Sequence, residues 1–310
     1  MQEILSRLKL YCRWLILGGT LFFLAKAFKD NWHEVAAIRI IGLGWVTLAI
    51  ALGVTLFAHI WSAWVWTWIL DELNQPVPTS QFVQVYLKTN IAKYLPGNIW
   101  HFYGRILAAK NAGVKANVAT LSVLLEPLLM AASALIVTLL SIEFIAIGSQ
   151  SNLWGLLIFV LAIATIALHP QFLNLAVRFL SRLKLKSTSD TVDTTTFQVK
   201  RYPWRPILGE LGFVGLRSAG FLLTVLALTS VETSQIPLLI GAFSLAWLLG
   251  LVIPGAPGGL GVFEVTAIAL LQRSFSPGWV ISAIALYRLV SILAEALGAG
   301  LAWLDEQRLR

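Results

Sequence analysis

Apolar residues occur in this chain in blocks long enough to cross a bilayer, which needs about 20 residues in a helix. Full crossings are expected at 10–28, 41–68, 116–140, 152–169, 207–230 and 279–302. Two further segments break the pattern. Ser80 to Gly113 is too polar for a lipid-facing span, with Lys88, Lys93, His101, Arg105 and Lys110. Pro237 to Arg273 is long and apolar but interrupted at its centre by Pro254-Gly255-Ala256-Pro257-Gly258-Gly259-Leu260-Gly261. The first segment has its own interruption at Leu95-Pro96-Gly97-Asn98. Proline removes an amide donor, and broken backbone at membrane depth is tolerated only where protein or a cavity shields it. Each segment therefore reads as a helix–break–helix hairpin that returns the chain to its starting side.

Only 12% of the 310 residues are charged, against about 25% in soluble domains, and 58% are hydrophobic. The expected class is an all-α polytopic membrane protein, with 1–310 as a single transmembrane domain. The formal charge of +8 does not indicate nucleic acid, because the basic residues cluster in loops beside apolar spans, where they orient the protein and meet anionic headgroups. The single cysteine, Cys12, excludes an internal disulfide and a cysteine-based metal site. Trp61, Trp64, Trp66 and Trp68 crowd one span end as an interfacial belt would. Near the N-terminus Ala25-Lys26-Ala27 mimics a cleavage site, but its lysine, and a counterpart span in the second half, favour an uncleaved first crossing.

The one long hydrophilic stretch, 170–206, carries Arg178, Arg182, Lys184, Lys186, Lys200, Arg201 and Arg205, and is placed in the cytoplasm. The loops near Glu143 and Glu232 lack Lys and Arg and fall outside, which puts both termini in the cytoplasm of a cell (plasma or inner) membrane. Lys26, Lys29 and Arg39 are the dissenting charges. Pro254 lies 158 positions after Pro96. That offset carries the second span onto the fifth and the third onto the sixth. The halves 1–150 and 151–310 then each hold three crossings and one broken hairpin. Three is odd, so the halves are inverted relative to each other, and the hairpins open on opposite sides. Paired interruptions of this kind point to a transport site.

The run from Ile253 through Gly261 to Val262-Phe263-Glu264, with Leu95-Pro96-Gly97-Asn98 and Arg105 in the first half, resembles the transmembrane (flippase) domain of lysylphosphatidylglycerol synthases over nearly the whole chain. The resemblance implies movement of lipids or lipid-linked anions between leaflets. No soluble domain is expected beyond Arg310, so the synthase's aminoacyl-lipid chemistry is not expected to carry over, and the chain is expected not to be an enzyme.

Ionisable groups inside spans cost about 3 kcal/mol each on insertion scales and are functional candidates by default. Glu126, Arg217, Arg288 and Glu295 lie within spans, and Arg105 and Glu264 lie just past the two breaks. Arg105, Arg217 and Arg288 are expected to hold a phosphate, whose oxygens match the guanidinium fork. Glu126 and Glu264 would balance them or take up a proton, and Glu295, two turns after Arg288 on a similar face, is a further candidate for the substrate site. Lys93, Asn98 and His101 flank the first break and reach headgroups, or else snorkel at the interface. Pro96, Gly97, Pro254, Gly255, Pro257, Gly258, Gly259 and Gly261 are the gate and hinge candidates, with glycine amides approaching the ligand. The plainer alternative is that these charges form buried pairs that fix helix register. His59 lies mid-span with no evident partner.

No cofactor or metal is expected beyond a coupling proton or cation: there is no HExxH, GxSxG or GxxxxGK[ST] pattern. Membrane lipids with anionic headgroups are the expected partners, with a homodimer or a cell-envelope enzyme as further ones. The leading expectation is an alternating-access lipid translocator. Its rivals are an intramembrane lipid-modifying enzyme and a non-transporting scaffold subunit.

Overall fold

The computed structural model describes residues 42–95, 99–141, 151–172, 174–175, 202–253 and 257–308, with 29, 33, 36, 39 and 40. The expected first crossing, most of the basic stretch 170–206, and Pro96, Gly97, Asn98, Pro254 and Gly255 lie outside these residues. Nine helices of ten or more residues are present among them: α1 (Gly42–Glu72), α2 (Thr79–Asn90), α3 (Trp100–Asn111), α4 (Ala116–Leu140), α5 (Ser151–Ala167), α6 (Trp204–Leu226), α7 (Ile236–Val252), α8 (Val262–Leu271) and α9 (Pro277–Arg308). Short 3-10 turns at Ile91–Tyr94, Thr233–Gln235 and Pro257–Gly259 extend or join them.

Among the described residues, five helical segments are long and apolar enough to cross a membrane: α1, α4, α6, α7 with its leading turn (Thr233–Val252), and α9 (Pro277–Gln307). The spans expected at 41–68, 116–140, 207–230 and 279–302 correspond to α1, α4, α6 and α9. The 17 residues of α5, at 1.5 Å each, extend about 26 Å where 152–169 was expected. Both broken segments fold as helix–break–helix. Their arms differ, however. In the first hairpin α2 and α3 have 12 residues each, about 18 Å, so neither arm reaches across a hydrocarbon core of about 30 Å. In the second, α7 is long enough to cross whereas α8, with 10 residues, returns only about 15 Å.

Lipid tails are as apolar as leucine, so helices in a bilayer associate through close packing and polar contacts. The α1–α6 interface illustrates this. Ala51, Thr55, Ala58 and Ser62 line one buried face of α1. A Cβ added at Gly209 of α6 would meet Val65 Cγ2 at 2.6 Å, and one at Gly220 would meet Thr55 Oγ1 at 2.4 Å. Residue numbers run in opposite senses along the contact, so the two helices are antiparallel. Elsewhere α4 packs on α7 and α9 on α2, while α3 packs on α4 and α8 on α9. The outer surface is apolar, with Leu43, Val46, Ile50 and Phe57 of α1 and Leu289, Leu293, Leu297 and Leu301 of α9 all exposed.

The tryptophan cluster is only partly a belt. Trp61, Trp64 and Trp68 pack edge-to-face or tilted on one another at centroid separations of 5.8 Å, and Trp61 Nε1 donates to the Gly209 carbonyl at 2.8 Å. Trp66 points the other way: it is fully buried and donates from Nε1 to Ser122 Oγ at 3.2 Å. Four alternating aromatic positions cannot all share one face of a helix with 3.6 residues per turn.

The tight α1–α6 contact predicts that Gly220→Val destabilises the protein by about 1–3 kcal/mol through overpacking. Gly215→Ala, where an added Cβ meets nothing within 4 Å, leaves thermal unfolding in detergent unchanged. Equal midpoints for the two variants would show that the contact is not tight.

Candidate functional site

The second break is closed by its own charges. Gly258 and Gly259 have φ of +59° and +72°, a region that glycine enters at no steric cost. This turns their carbonyls toward α9, where Arg288 donates from Nη1 to Gly258 O at 3.1 Å and from Nη2 to Gly259 O at 3.0 Å. Arg288 Nε donates to Glu264 Oε1 at 2.5 Å. The other carboxylate oxygen of Glu264 accepts the Gly261 amide at 2.6 Å, one half of a capping box at the start of α8. Two sequence expectations therefore meet a different geometry. The fork of Arg288 is filled by the hairpin itself, and at Gly258 and Gly259 carbonyls serve as acceptors where amides were expected to serve a ligand. Pro257 opens the 3-10 turn and Gly261 caps α8.

The first hairpin is held by a pair of the opposite polarity. His101 and Arg105, four residues apart, face inward from α3. Arg105 Nη1 donates to Glu126 Oε2 of α4 at 2.7 Å, and Tyr86 OH of α2 donates to Glu126 Oε1 at 2.7 Å. The Arg105 guanidinium lies 3.5 Å from the centroid of the Tyr86 ring, a cation–π arrangement. Ser62 Oγ of α1 bonds Tyr86 OH at 2.8 Å. In this half the arginine is on the hairpin and the glutamate on the span; around Glu264 and Arg288 the roles are exchanged.

Between these pairs lies a third cluster. Arg288, Ser291 and Glu295 share one face of α9 at i, i+3 and i+7. Glu295 Oε1 accepts Lys93 Nζ at 2.7 Å and lies 3.3 Å from His59 Nε2. Arg217 Nη1 is 3.2 Å from the same His59 nitrogen and donates to Ser291 Oγ at 2.9 Å. His59, which showed no partner in the sequence, joins α1 to α6 and α9. Lys93 points inward to Glu295 and does not snorkel.

A cavity of about 460 Å³ connects the three clusters. Of the expected site residues, Lys93, His101, Arg105, Glu126, Arg217, Gly258, Gly259, Arg288 and Glu295 line it, and Glu264 stands behind Arg288. The hairpin tips meet here: a Cβ added at Gly258 would lie 2.7 Å from the Tyr94 ring. Four cations, Lys93, Arg105, Arg217 and Arg288, face three carboxylates, Glu126, Glu264 and Glu295, leaving one positive charge in surplus. The lining also has polar groups such as Asn90, Tyr94 and Ser291, and apolar ones, of which Leu124, Leu128 and Val252 are 45%, 49% and 60% exposed. The cavity thus sets charged groups beside exposed apolar side chains.

Sequence reasoning passed over Tyr86, Ser291, Tyr287 and Glu210. Tyr287 OH donates to the Arg217 carbonyl at 3.4 Å. Glu210 is fully buried in α6, seven residues before Arg217 on the same face. Its signal was present, since it is an acid within an apolar helix, but a span read from 207 puts it at the edge.

The family model described as the lysylphosphatidylglycerol synthase TM region matches residues 13–298. The chain belongs to this family. No curated protein matches it significantly. In this member of the lysylphosphatidylglycerol synthase transmembrane-region family, the glycine-rich run that carried the resemblance is the segment gripped by Arg288. The family assignment and the apolar spans make it a multi-pass membrane protein.

Breaking a buried ion pair from one side leaves an uncompensated charge, at a cost of about 3–5 kcal/mol. Arg288→Met is expected to lower stability by that amount. Pairing it with Glu264→Gln, which keeps an acceptor for the Gly261 amide, recovers most of the loss in unfolding titrations. A double variant no more stable than Arg288→Met would refute the pairing.

Proposed function

We propose that this protein translocates an anionic lipid between leaflets by alternating access, taking an anionic phospholipid, a glycolipid or a polyprenyl phosphate. The observation that carries the reading is a cavity that joins charged groups, with one surplus cation, to exposed apolar side chains. A soluble anion has no use for the apolar side chains, and a neutral lipid has none for the surplus cation. An amphiphile with an anionic head fits both. Arg217 is the cation best placed for the headgroup, because Arg288 is occupied by the hairpin and Glu264, Arg105 by Glu126 and Lys93 by Glu295, whereas Arg217 meets only His59 and Ser291. Arg217 also keeps a buried Nε with no partner among the described residues.

The inverted-repeat reading is supported by three correspondences. His59 and Arg217 are 158 positions apart, the same offset that relates the two breaks, and they touch across the antiparallel α1–α6 contact. The pairings α4–α7 and α9–α2 exchange under that offset, as do α3–α4 and α8–α9. The Arg105–Glu126 and Glu264–Arg288 pairs occupy corresponding places with their charges exchanged. On this reading the two hairpin tips, now in contact at Tyr94 and Gly258, are the gates. The Arg288 clamp opens when the second gate does. Loop charge favours a cell membrane with both termini in the cytoplasm.

Reconstituted liposomes carrying labelled phosphatidylglycerol test the proposal. The wild type should equilibrate the label between leaflets faster than empty vesicles. Arg217→Gln should slow it at least about tenfold, as expected for losing a charge-assisted hydrogen bond of about 1.5–3 kcal/mol. Wild-type rates equal to those of empty vesicles for phosphatidylglycerol, an anionic glycolipid and a polyprenyl phosphate alike would rule it out.

A further inference from the structure

The arms of the first hairpin bring a further pair of polar side chains to the cavity, nearer the tip than Arg105 and Glu126. The Arg105 guanidinium of α3 lies 3.5 Å from the centroid of the Tyr86 ring of α2, and a Cβ added at Gly104 would lie 2.8 Å from Thr89 Cγ2. The arms are therefore antiparallel, and numbers rise on α2 as they fall on α3. One helical turn toward the tip from Tyr86 and Arg105 stand Asn90 and His101. Each is only 7% exposed, and both line the cavity. In the 3-10 turn Ile91–Tyr94 three residues complete a turn, so Lys93 repeats the face of Asn90. Lys93 bonds Glu295, which lies beside His59 and, through it, Arg217. Asn90 and His101 thus border the cluster that contains Arg217.

Neither residue adds a formal charge of its own to this wall by pairing with an acid. His101 Nδ1 is inaccessible and has no hydrogen-bond partner among the described residues. The ring packs on Phe102 at a centroid separation of 3.8 Å and meets the cavity through its Nε2 side. The flanking cations are committed, Arg105 to Glu126 and Lys93 to Glu295. This part of the wall therefore offers an imidazole and a carboxamide, which between them donate and accept. A hydroxyl also does both, whereas a phosphate oxyanion only accepts and an ammonium only donates. Buried polar groups left unmatched are costly, so the wall favours a ligand whose hydroxyls complete it.

We infer that Asn90 and His101 form a hydroxyl-binding subsite that selects lipids whose headgroup carries a neutral polyol, glycerol or a sugar, beyond the phosphate. The inference rests on the reading that the cavity takes an anionic lipid. With the phosphate at Arg217, the polyol extends toward the arms of the first hairpin and bonds to one residue on each.

Native mass spectrometry of the purified full chain, offered equal amounts of phosphatidylglycerol and phosphatidylethanol, reads the subsite. Both lipids have a singly charged phosphodiester, and only the first has headgroup hydroxyls. The wild type should hold phosphatidylglycerol about tenfold better, the order of gain expected from two neutral hydrogen bonds. Asn90→Leu and His101→Phe should each cut that preference to about threefold or less by weakening phosphatidylglycerol binding. Thermal unfolding confirms that each variant is folded, and the wild-type comparison stands without either. Equal retention of the two lipids by the wild type, with both held better than phosphatidylcholine, overturns the subsite and leaves the anionic-lipid reading in place. A preference that survives both variants puts hydroxyl recognition elsewhere and overturns the assignment. If neither lipid is held better than phosphatidylcholine, the anionic-lipid reading fails and the subsite fails with it.

Discussion

A single carboxylate oxygen, Oε1 of Glu295, ties the interior of this protein together. It accepts Lys93 from the first hairpin, sits within 3.3 Å of His59 on α1, and reaches Arg217 on α6 through His59 and Ser291. Charge inside a bilayer is stable only when it is paired and hydrogen-bonded. No element of this network can move far without leaving another group unpaired. The same rule explains why both hairpins, whose arms are short, persist at depth: each is anchored by an arginine–glutamate pair to the long helix that follows it. The electrostatics are therefore part of the fold before they are part of any function.

A set of paired charges also fixes what a moving hairpin has to break. In the second hairpin Arg288 holds two backbone carbonyls and a carboxylate at once, so opening the tip breaks all three bonds together. In the first hairpin Arg105 is bonded to Glu126 while its buried Nε has no partner among the described residues. On the proposed function, an anionic headgroup would complete the pairing that the cavity leaves incomplete by one charge, and the exposed apolar side chains of Leu124, Leu128 and Val252 would meet its tails.

Much of this was legible in the sequence where residue chemistry is local. The breaks were marked by proline and glycine, whose backbone consequences do not depend on surroundings. The spans followed from hydropathy, and α4 matches its expected bounds of 116–140. Candidate charges were found because ionisable groups are rare in lipid. Partners were not legible, because which charge meets which depends on helix rotation and crossing. Arg288 and Arg105 looked like equivalent phosphate ligands, yet each turns out to be committed to its own hairpin pair. Trp66 looked like its belt neighbours but faces the core. One partnership could have been read: His59 and Arg217 obey the 158-residue offset, which brings the centres of α1 and α6 together if the halves are inverted.

The central claim is that the cavity holds an anionic lipid headgroup against Arg217. Mass spectrometry of lipids retained by the mildly purified protein tests it most directly. The account predicts one tightly held anionic lipid in the wild type, enriched over its share of the membrane, and its loss in Arg217→Gln with the fold intact. Retained lipid that simply mirrors the membrane's composition, or anionic lipid held equally well by both proteins, would contradict it.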